Sequence, residues 1–225
     1  MVLALLMPLI QHRKSIQKLK SLKRKNKMRF SIIMPSRLVP YPGCASFLDQ
    51  KIVRAIDSVL SQSYKDFELL VISDECSLTK SIVKQYTDKR LVLLECKHKA
   101  IFDNLPRNTG IEAAKGEYII YIDVDDYWGE DHLKIVEKNL SSFDWVWYND
   151  IIFNGGWIER ACNIKSKGGC GTSNVCYKRS LNLRWGRPGY AHDYFFLQQL
   201  LMFPNNSKIE TPEYFVCHAP GLWNL

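Results

Sequence analysis

Residues 119–128 read IIYIDVDDYW, an apolar run that breaks into three carboxylates, Asp123, Asp125 and Asp126, with aromatic residues and Gly129 directly after. A lone Asp after a strand is an ordinary turn residue that bonds its own backbone. Three within four residues repel one another unless a cation or strong donors offset them. A strand that delivers paired carboxylates to its C-terminal tip offers oxygen ligands to a hard divalent cation, which can bridge to phosphate oxygens. The run therefore points to an enzyme that handles phosphate through Mn²⁺ or Mg²⁺.

Further candidates follow in the second half. Asp193 in GYAHDYFFLQQLL stands just before a helical run over 194–201. There it serves as an N-cap, or as a catalytic carboxylate held ionised by helix-terminal N–H groups. His192 before it is either its partner or a surface residue. His218, in YFVCHAPG, follows a short strand, and imidazole suits Mn²⁺ and other borderline metals. The glycines at 168, 169 and 171 allow close backbone approach. They match neither a Walker loop nor GxGxxG, so they read equally as a hairpin turn or a substrate loop.

The elements that must position these groups alternate. FSIIMPS is a buried strand. Residues 50–61 carry apolar positions at helical spacing, FELLVIS is a second strand, 78–86 a helix and LVLLE a third strand. Residues 108–115 form a short helix stopped by Gly116, and EYIIYID is the fourth strand. Continuous apolar strands alternating with helices predict an α/β fold with a mainly parallel sheet covered on both faces. Ligands then gather at the carboxyl ends of the strands, where Pro35, Ser36, Asp74 and the Asp123–Asp126 run should meet. DWVWYNDIIF and GGWIERACNI read as strands with alternating aromatics, and GTSNVCYKRS as a turn entering a strand.

At 225 residues the chain suits one substantial domain. The charge of +8 is not spread over it, because nine of the 31 basic residues lie between His12 and Arg29 and no acid precedes Asp49. The basicity belongs to a leader, residues 1–29, and no nucleic-acid-binding face is expected of residues 30–225. The ten apolar residues that open the leader fall short of the roughly 20 needed to span a bilayer, and charge that follows the apolar stretch is the wrong order for a signal peptide. Ile16, Leu19 and Leu22 among lysines suit an amphipathic helix on anionic lipid; a basic leader without fixed structure is the other reading. Seven cysteines without a CxxC pair argue against a zinc ribbon or a disulfide framework. A cytoplasmic, membrane-peripheral placement follows.

In order and spacing, FSIIMPSR, AIDSVLSQSYKDFELLVISDECS, RNTGIEAAKGEYIIYIDVDDYW, GTSNVCYKRS and HDYFFL resemble a family-2 glycosyltransferase with the GT-A fold, a Rossmann-like architecture. The resemblance covers about residues 30–201. It implies that Asp123 and Asp125 hold a divalent metal against the diphosphate of a nucleotide-sugar donor and that Asp126 assists or contacts the sugar. It also places Asp74 on the donor base, Pro35 and Ser36 beside the nucleoside, and Arg107 of the RN motif near the nucleotide. Asp193 becomes the catalytic base, and His218 resembles a late metal-completing His. Two departures stand out: Ser73 and Glu75 replace an acid and a glycine in the usual DDGS, and HD replaces ED.

The implied chemistry is inverting transfer to a glycan, lipid-linked or protein-glycan hydroxyl, as in polysaccharide biosynthesis. A bound metal neutralises the departing diphosphate, and a carboxylate deprotonates the acceptor. UDP-linked donors are the commonest in this family, with GDP- and dTDP-sugars open, since fold does not fix substrate. Sugar-phosphate nucleotidyl transfer and a non-catalytic sugar-binding domain are the rival readings. The first is disfavoured by the lack of a glycine-rich basic loop after the first strand, the second by the presence of Asp123, Asp125 and Asp193.

Overall fold

The strands are Phe30–Ser36 (β1), Phe67–Asp74 (β2), Leu91–Cys96 (β3), Tyr118–Tyr121 (β4), Tyr127–Trp128 (β5), Trp145–Tyr148 (β6), Asp150–Phe153 (β7), Trp157–Arg160 (β8), Val175–Lys178 (β9), Asn206–Ile209 (β10) and Tyr214–Val216 (β11). The helices are Leu48–Leu60 (α1), Ser77–Val83 (α2), Leu105–Ala113 (α3), His132–Asn139 (α4) and His192–Leu200 (α5). The structure, a computed structural model, describes residues 28–40, 46–97, 99, 104–140, 142–153, 156–186, 188–189, 191–211 and 213–217.

Side chains alternate across a strand, and here both faces are apolar. Along β1, Phe30, Ile32 and Met34 enter one core cluster and Ile33 the other; along β2, Phe67, Leu69 and Val71 part from Leu70 and Ile72 in the same way. The first cluster is closed by Ile52, Ala55, Ile56 and Val59 of α1, by Ile82 and Val83 of α2, and by Leu133 and Val136 of α4. The second is closed by Ile111 of α3 and by Phe196, Leu197 and Leu200 of α5. The seven-stranded sheet runs β10-β6-β9-β4-β1-β2-β3. Its pairings are parallel except those of β9, which is antiparallel to both β4 and β6. The expected mainly parallel sheet with helices on both faces is therefore what forms.

A second sheet, order β5-β11-β7-β8, lies beyond it. The aromatic stretch 144–153 divides between the two sheets at Asn149, whose side chain donates to Glu159 Oε1 (2.6 Å) and accepts from Cys162 N (3.1 Å). The short β5 directly follows the carboxylate run and pairs with β11, so this sheet abuts the site.

The RN-to-DD block is built by close approach. A Cβ on Gly110 would lie 2.6 Å from Ile33 Cγ2, and one on Gly116 2.4 Å from Ser31 N. Only glycine lets α3 and the following turn pack this tightly on β1. Helix α3 starts three residues earlier than the apolar spacing suggested, because Pro106 fits the first turn, where its missing N–H is no loss. Arg29, counted with the basic leader from sequence, is integral to the fold: it is buried, pairs with Glu117 (2.8 Å) and Glu137, and lies over the Tyr118 ring. The remainder of the leader, residues 1–27, lies outside the described residues. Among the described residues no helix is long and apolar enough to cross a membrane.

Candidate active site

Strands β1, β2 and β3 end together, with Ser36 opposite Ser73 and Asp74 opposite Cys96. Ser36 is buried, and its hydroxyl shares a 2.8 Å hydrogen bond with that of Thr79. Pro35 beside it is half-buried. Asp74 accepts from the Cys96 thiol at Oδ1 (3.8 Å), while its backbone carbonyl accepts from Arg37 (3.0 Å). The two departures from DDGS have local explanations. Ser73 Oγ accepts from Cys76 N (3.2 Å) and donates to Cys76 O (3.0 Å), closing the turn into α2. Glu75 keeps the left-handed backbone a glycine would take, at φ 47°.

The carboxylate run forms the turn between β4 and β5. Its three members face different surroundings. Asp123 is 41% exposed at its side chain, accepts from Ser173 Oγ at Oδ2 (2.6 Å) and lies 3.5 Å from Arg107 Nη2 at Oδ1. Desolvation by the surrounding protein, despite this partial exposure, pushes its carboxyl above the usual range. Arg107 pulls it down, Asp125 adds to the rise, Ser173 opposes and Asp193 adds again. Asp125 has its carbonyl held by Arg54 Nη2 (2.9 Å), whose guanidinium also lies over the Tyr127 ring. Asp126 is only 5% exposed, and both of its oxygens are taken, by Tyr214 OH (2.6 Å) and Cys217 N (2.9 Å). The carboxylate turns inward and anchors β11 to the loop, and Tyr214 Oη in turn accepts from Asp123 N (3.3 Å). Burial raises the Asp126 carboxyl well above its ordinary value, with Asp125 and Asp123 adding repulsion. Buried Lys51 of α1 donates to the carbonyl of Cys217. His218, the next residue, lies outside the described residues.

Asp193 reaches the same place from the other end of the chain. It sits in the first turn of α5, not at its N-cap: that position is Ala191, and no side chain caps it. Its Oδ1 accepts from Thr172 Oγ1 (3.0 Å) and from His192 Nε2 (2.9 Å). His192 is thus a buried partner, not a surface residue. Asp193 Oδ2 has no hydrogen-bond partner among the described residues, and the side chain is 34% exposed. Burial alone would raise this carboxyl. The His192 hydrogen bond, the Arg107 charge and the Thr172 hydroxyl outweigh it and hold the group below its usual value, hence ionised.

The residues that sequence reasoning missed are those joining the two acidic ends. Thr172–Asn174 is a buried 3-10 turn. Thr172 bonds Asp193, Ser173 bonds Asp123, and Asn174 Nδ2 donates to Asp150 Oδ2 (3.1 Å). Two adjacent hydroxyls placed directly before a buried strand were the available signal. The glycine-rich segment was neither a plain hairpin nor shown to be a substrate loop; it leads into this bridge.

A parallel sheet whose strand ends gather Asp74, Asp123 and Asp125, with Asp193 delivered by a later helix, defines a GT-A-type cleft. The family described as Glycosyl transferase family 2 matches residues 31–203, and the chain belongs to that family. Among curated relatives, the UDP-Glc:alpha-D-GlcNAc-diphosphoundecaprenol beta-1,3-glucosyltransferase WfgD of Escherichia coli is 35% identical over 202 residues, 83% of this chain and 74% of that protein. An uncharacterized glycosyltransferase of Rickettsia felis is 36% identical over 115 residues, 48% of this chain but only 18% of that protein. Among solved structures, S. aureus TarS in complex with UDP-GlcNAc aligns with TM-score 0.68 at 20% identity, over 86% of this chain and 60% of that one. At that identity the likeness speaks to fold alone. Family membership sets aside the nucleotidyl-transfer reading.

Among the described residues no group of three or more His, Cys, Asp or Glu gathers as a metal cluster. The donor set nonetheless suits a hard divalent cation. Mg²⁺-type sites commonly take one or two carboxylates and complete their shell with water and substrate phosphate. Here the loop carries mutually repelling carboxylates, two of them, Asp123 and Asp126, pushed up by desolvation and by the neighbouring Asp125.

Proposed function

We propose that residues 30–225 form the catalytic domain of an inverting glycosyltransferase that moves a sugar from a UDP-linked donor to a hydroxyl of a lipid-linked or surface-glycan acceptor. The observation that carries this is the continuous bridge Asp193–Thr172–Ser173–Asp123, which sets a base with one open oxygen beside the carboxylates of the donor diphosphate end. The donor class is supported by the printed specificity of WfgD and by the UDP-GlcNAc complex of TarS.

In this reading Asp74, Pro35 and Ser36 form the nucleoside end of the cleft. Asp123 and Asp125 hold Mn²⁺ or Mg²⁺, with His218 as a further ligand, and Asp126 shapes their loop. When bound, the metal neutralises negative charge on the leaving diphosphate. Arg107, 3.5 Å from Asp123 and with a charge that Asp193 also feels, adds positive charge at the same place. Asp193 Oδ2 accepts the proton of the acceptor hydroxyl, a contribution of ~10²–10⁴-fold for a positioned base. His192 and Thr172 hold the other oxygen, so that Oδ2 faces the cleft in one orientation. Attack from the face opposite the diphosphate inverts the anomeric carbon without a covalent intermediate. The basic leader short of Arg29, residues 1–27, would bring the domain to the cytoplasmic surface of an anionic membrane, where a lipid-linked acceptor would be met.

The test is calorimetric titration with UDP, GDP and dTDP in Mn²⁺ and then in chelator, followed by turnover of UDP-glucose with a GlcNAc-diphospho-lipid. Binding of one nucleotide that is lost on chelation, with release of that nucleotide only when acceptor is present, is expected. Binding without release under any acceptor would favour a non-catalytic sugar-binding domain, and no binding across the panel would overturn the donor assignment.

A further inference from the structure

Trp185 lies between β9 and α5 in the chain, and its hydrogen bonds among the described residues go to Asn108 and Tyr121, not to Asp123 or Asp193. Its backbone is clamped at two points by Asn108, which donates from Nδ2 to Trp185 O (3.0 Å) and accepts at Oδ1 from Trp185 N (3.0 Å). The indole N–H donates to Tyr121 Oη (3.2 Å). One ring face stacks on Phe196 at 4.4 Å and 14°. A ring so covered has only its other face to offer, and there the Arg107 guanidinium sits 4.7 Å from the centroid. His192 meets Trp185 edge-on at 5.3 Å.

Among the described residues Arg107 is held by little else. Its contact to Asp123, 3.5 Å, is longer than a charge-assisted hydrogen bond, and its buried Nε has no partner among the described residues. A long side chain with few hydrogen bonds keeps its rotamer freedom unless packing removes it, and an aromatic face attracts a guanidinium besides restricting it. The adjacent residues of the RN motif thus act on one ring: Asn108 fixes it, and Arg107 rests on it.

We infer that Trp185 is a positioning residue for the transfer reaction, fixing the Arg107 guanidinium beside Asp123 and bracing His192, the partner of Asp193. The inference rests on the transferase reading for its catalytic consequence and on geometry alone for its structural one, and the two are measured separately.

The structural readout is the Nε–H spectrum of ¹⁵N-labelled full-length protein, with the Arg107 signal assigned by its absence in Arg107→Met. Ring current from the aromatic face should displace that signal upfield in the wild type, where the ring is the indole, and in Trp185→Phe, where it is a phenyl, and Trp185→Leu should return it to the position of a free arginine. The catalytic readout is steady-state turnover of a UDP-sugar. Trp185→Leu should lower kcat on the order of 10- to 100-fold with donor KM changed by less than about threefold, and Trp185→Phe should recover most of the loss. In an Arg107→Met background, Trp185→Leu should cost less than about twofold more, because both changes act through one guanidinium. An Arg107 signal unmoved in folded Trp185→Leu would overturn the inference, as would kcat losses that multiply in the double variant. Should Trp185→Leu fail to fold, Asn108→Ala removes only the clamp, and the same two shifts in smaller degree are expected; an unmoved signal there also overturns it. A wild type without turnover counts against the transferase reading alone, since the spectrum still decides where Arg107 lies.

Discussion

His132 makes the stability of this protein depend on pH in a way that can be worked out. The imidazole at the start of α4 is 2% exposed, lies 4.5 Å from the Trp128 ring and 4.9 Å from that of Tyr148, and has no partner for Nε2 among the described residues. Burial pushes it down to about 3 from an ordinary value of 6.5. Between these two values the unfolded chain binds a proton that the folded chain refuses, so stability is full above the unfolded value and is lost as pH falls below it. Relative to neutral pH, the loss reaches about 2 kcal/mol at pH 5. Urea denaturation of wild type and His132→Phe at pH 7.5, 6 and 5 isolates this group, because other titrating side chains affect both proteins alike. The wild type should lose about 2 kcal/mol more than the variant over that range. Curves that stay parallel to within about 0.5 kcal/mol would refute a buried neutral imidazole. The site should feel the same strain, since His132 also packs against Tyr214, whose hydroxyl holds Asp126 and accepts from Asp123 N.

Three further outcomes follow from the geometry. Asp193→Asn should leave UDP affinity within about threefold and lower kcat on the order of 10²–10⁴-fold; calorimetry showing equal loss of nucleotide binding would remove the base assignment. Thr172→Val deletes a hydrogen bond to an ionised carboxylate, an interaction of about 1.5–3 kcal/mol. Asp193 then titrates higher, so the acidic limb of the kcat profile should move to higher pH, and an unmoved limb would sever Thr172 from the base. Glu75→Gly relieves a left-handed backbone that costs a side-chain-bearing residue about 1–2 kcal/mol, against the larger unfolded-state entropy of glycine, roughly 0.5–1 kcal/mol. A net gain of about 0.5–1 kcal/mol in urea denaturation is expected, and a destabilised variant would show that the Glu75 side chain contributes more than the strain it imposes.

What the sequence by itself determined is the order of the layers and the place of the site. Continuous apolar runs such as FELLVIS cannot be half-exposed, so they required a sheet covered on both faces, and chain direction then put Ser36, Asp74 and Asp123 at one rim. Local spacing also carried the family resemblance, because Gly110 and Gly116 answer to contacts between neighbouring elements. Tertiary structure alone decided how far-apart side chains divide their work. Nothing in the local pattern separates Asp126 from Asp123 and Asp125. The distinction comes from Tyr214 and Cys217, some ninety residues away, which take up both oxygens of the buried carboxylate. Likewise the local sequence leaves Asp193 as either a helix cap or a catalytic carboxylate, and only folding brings the Thr172 hydroxyl and the His192 ring to one of its oxygens and leaves the other open. Hydrogen bonds between distant side chains are set by the packing of whole elements, and no periodicity along the chain records them.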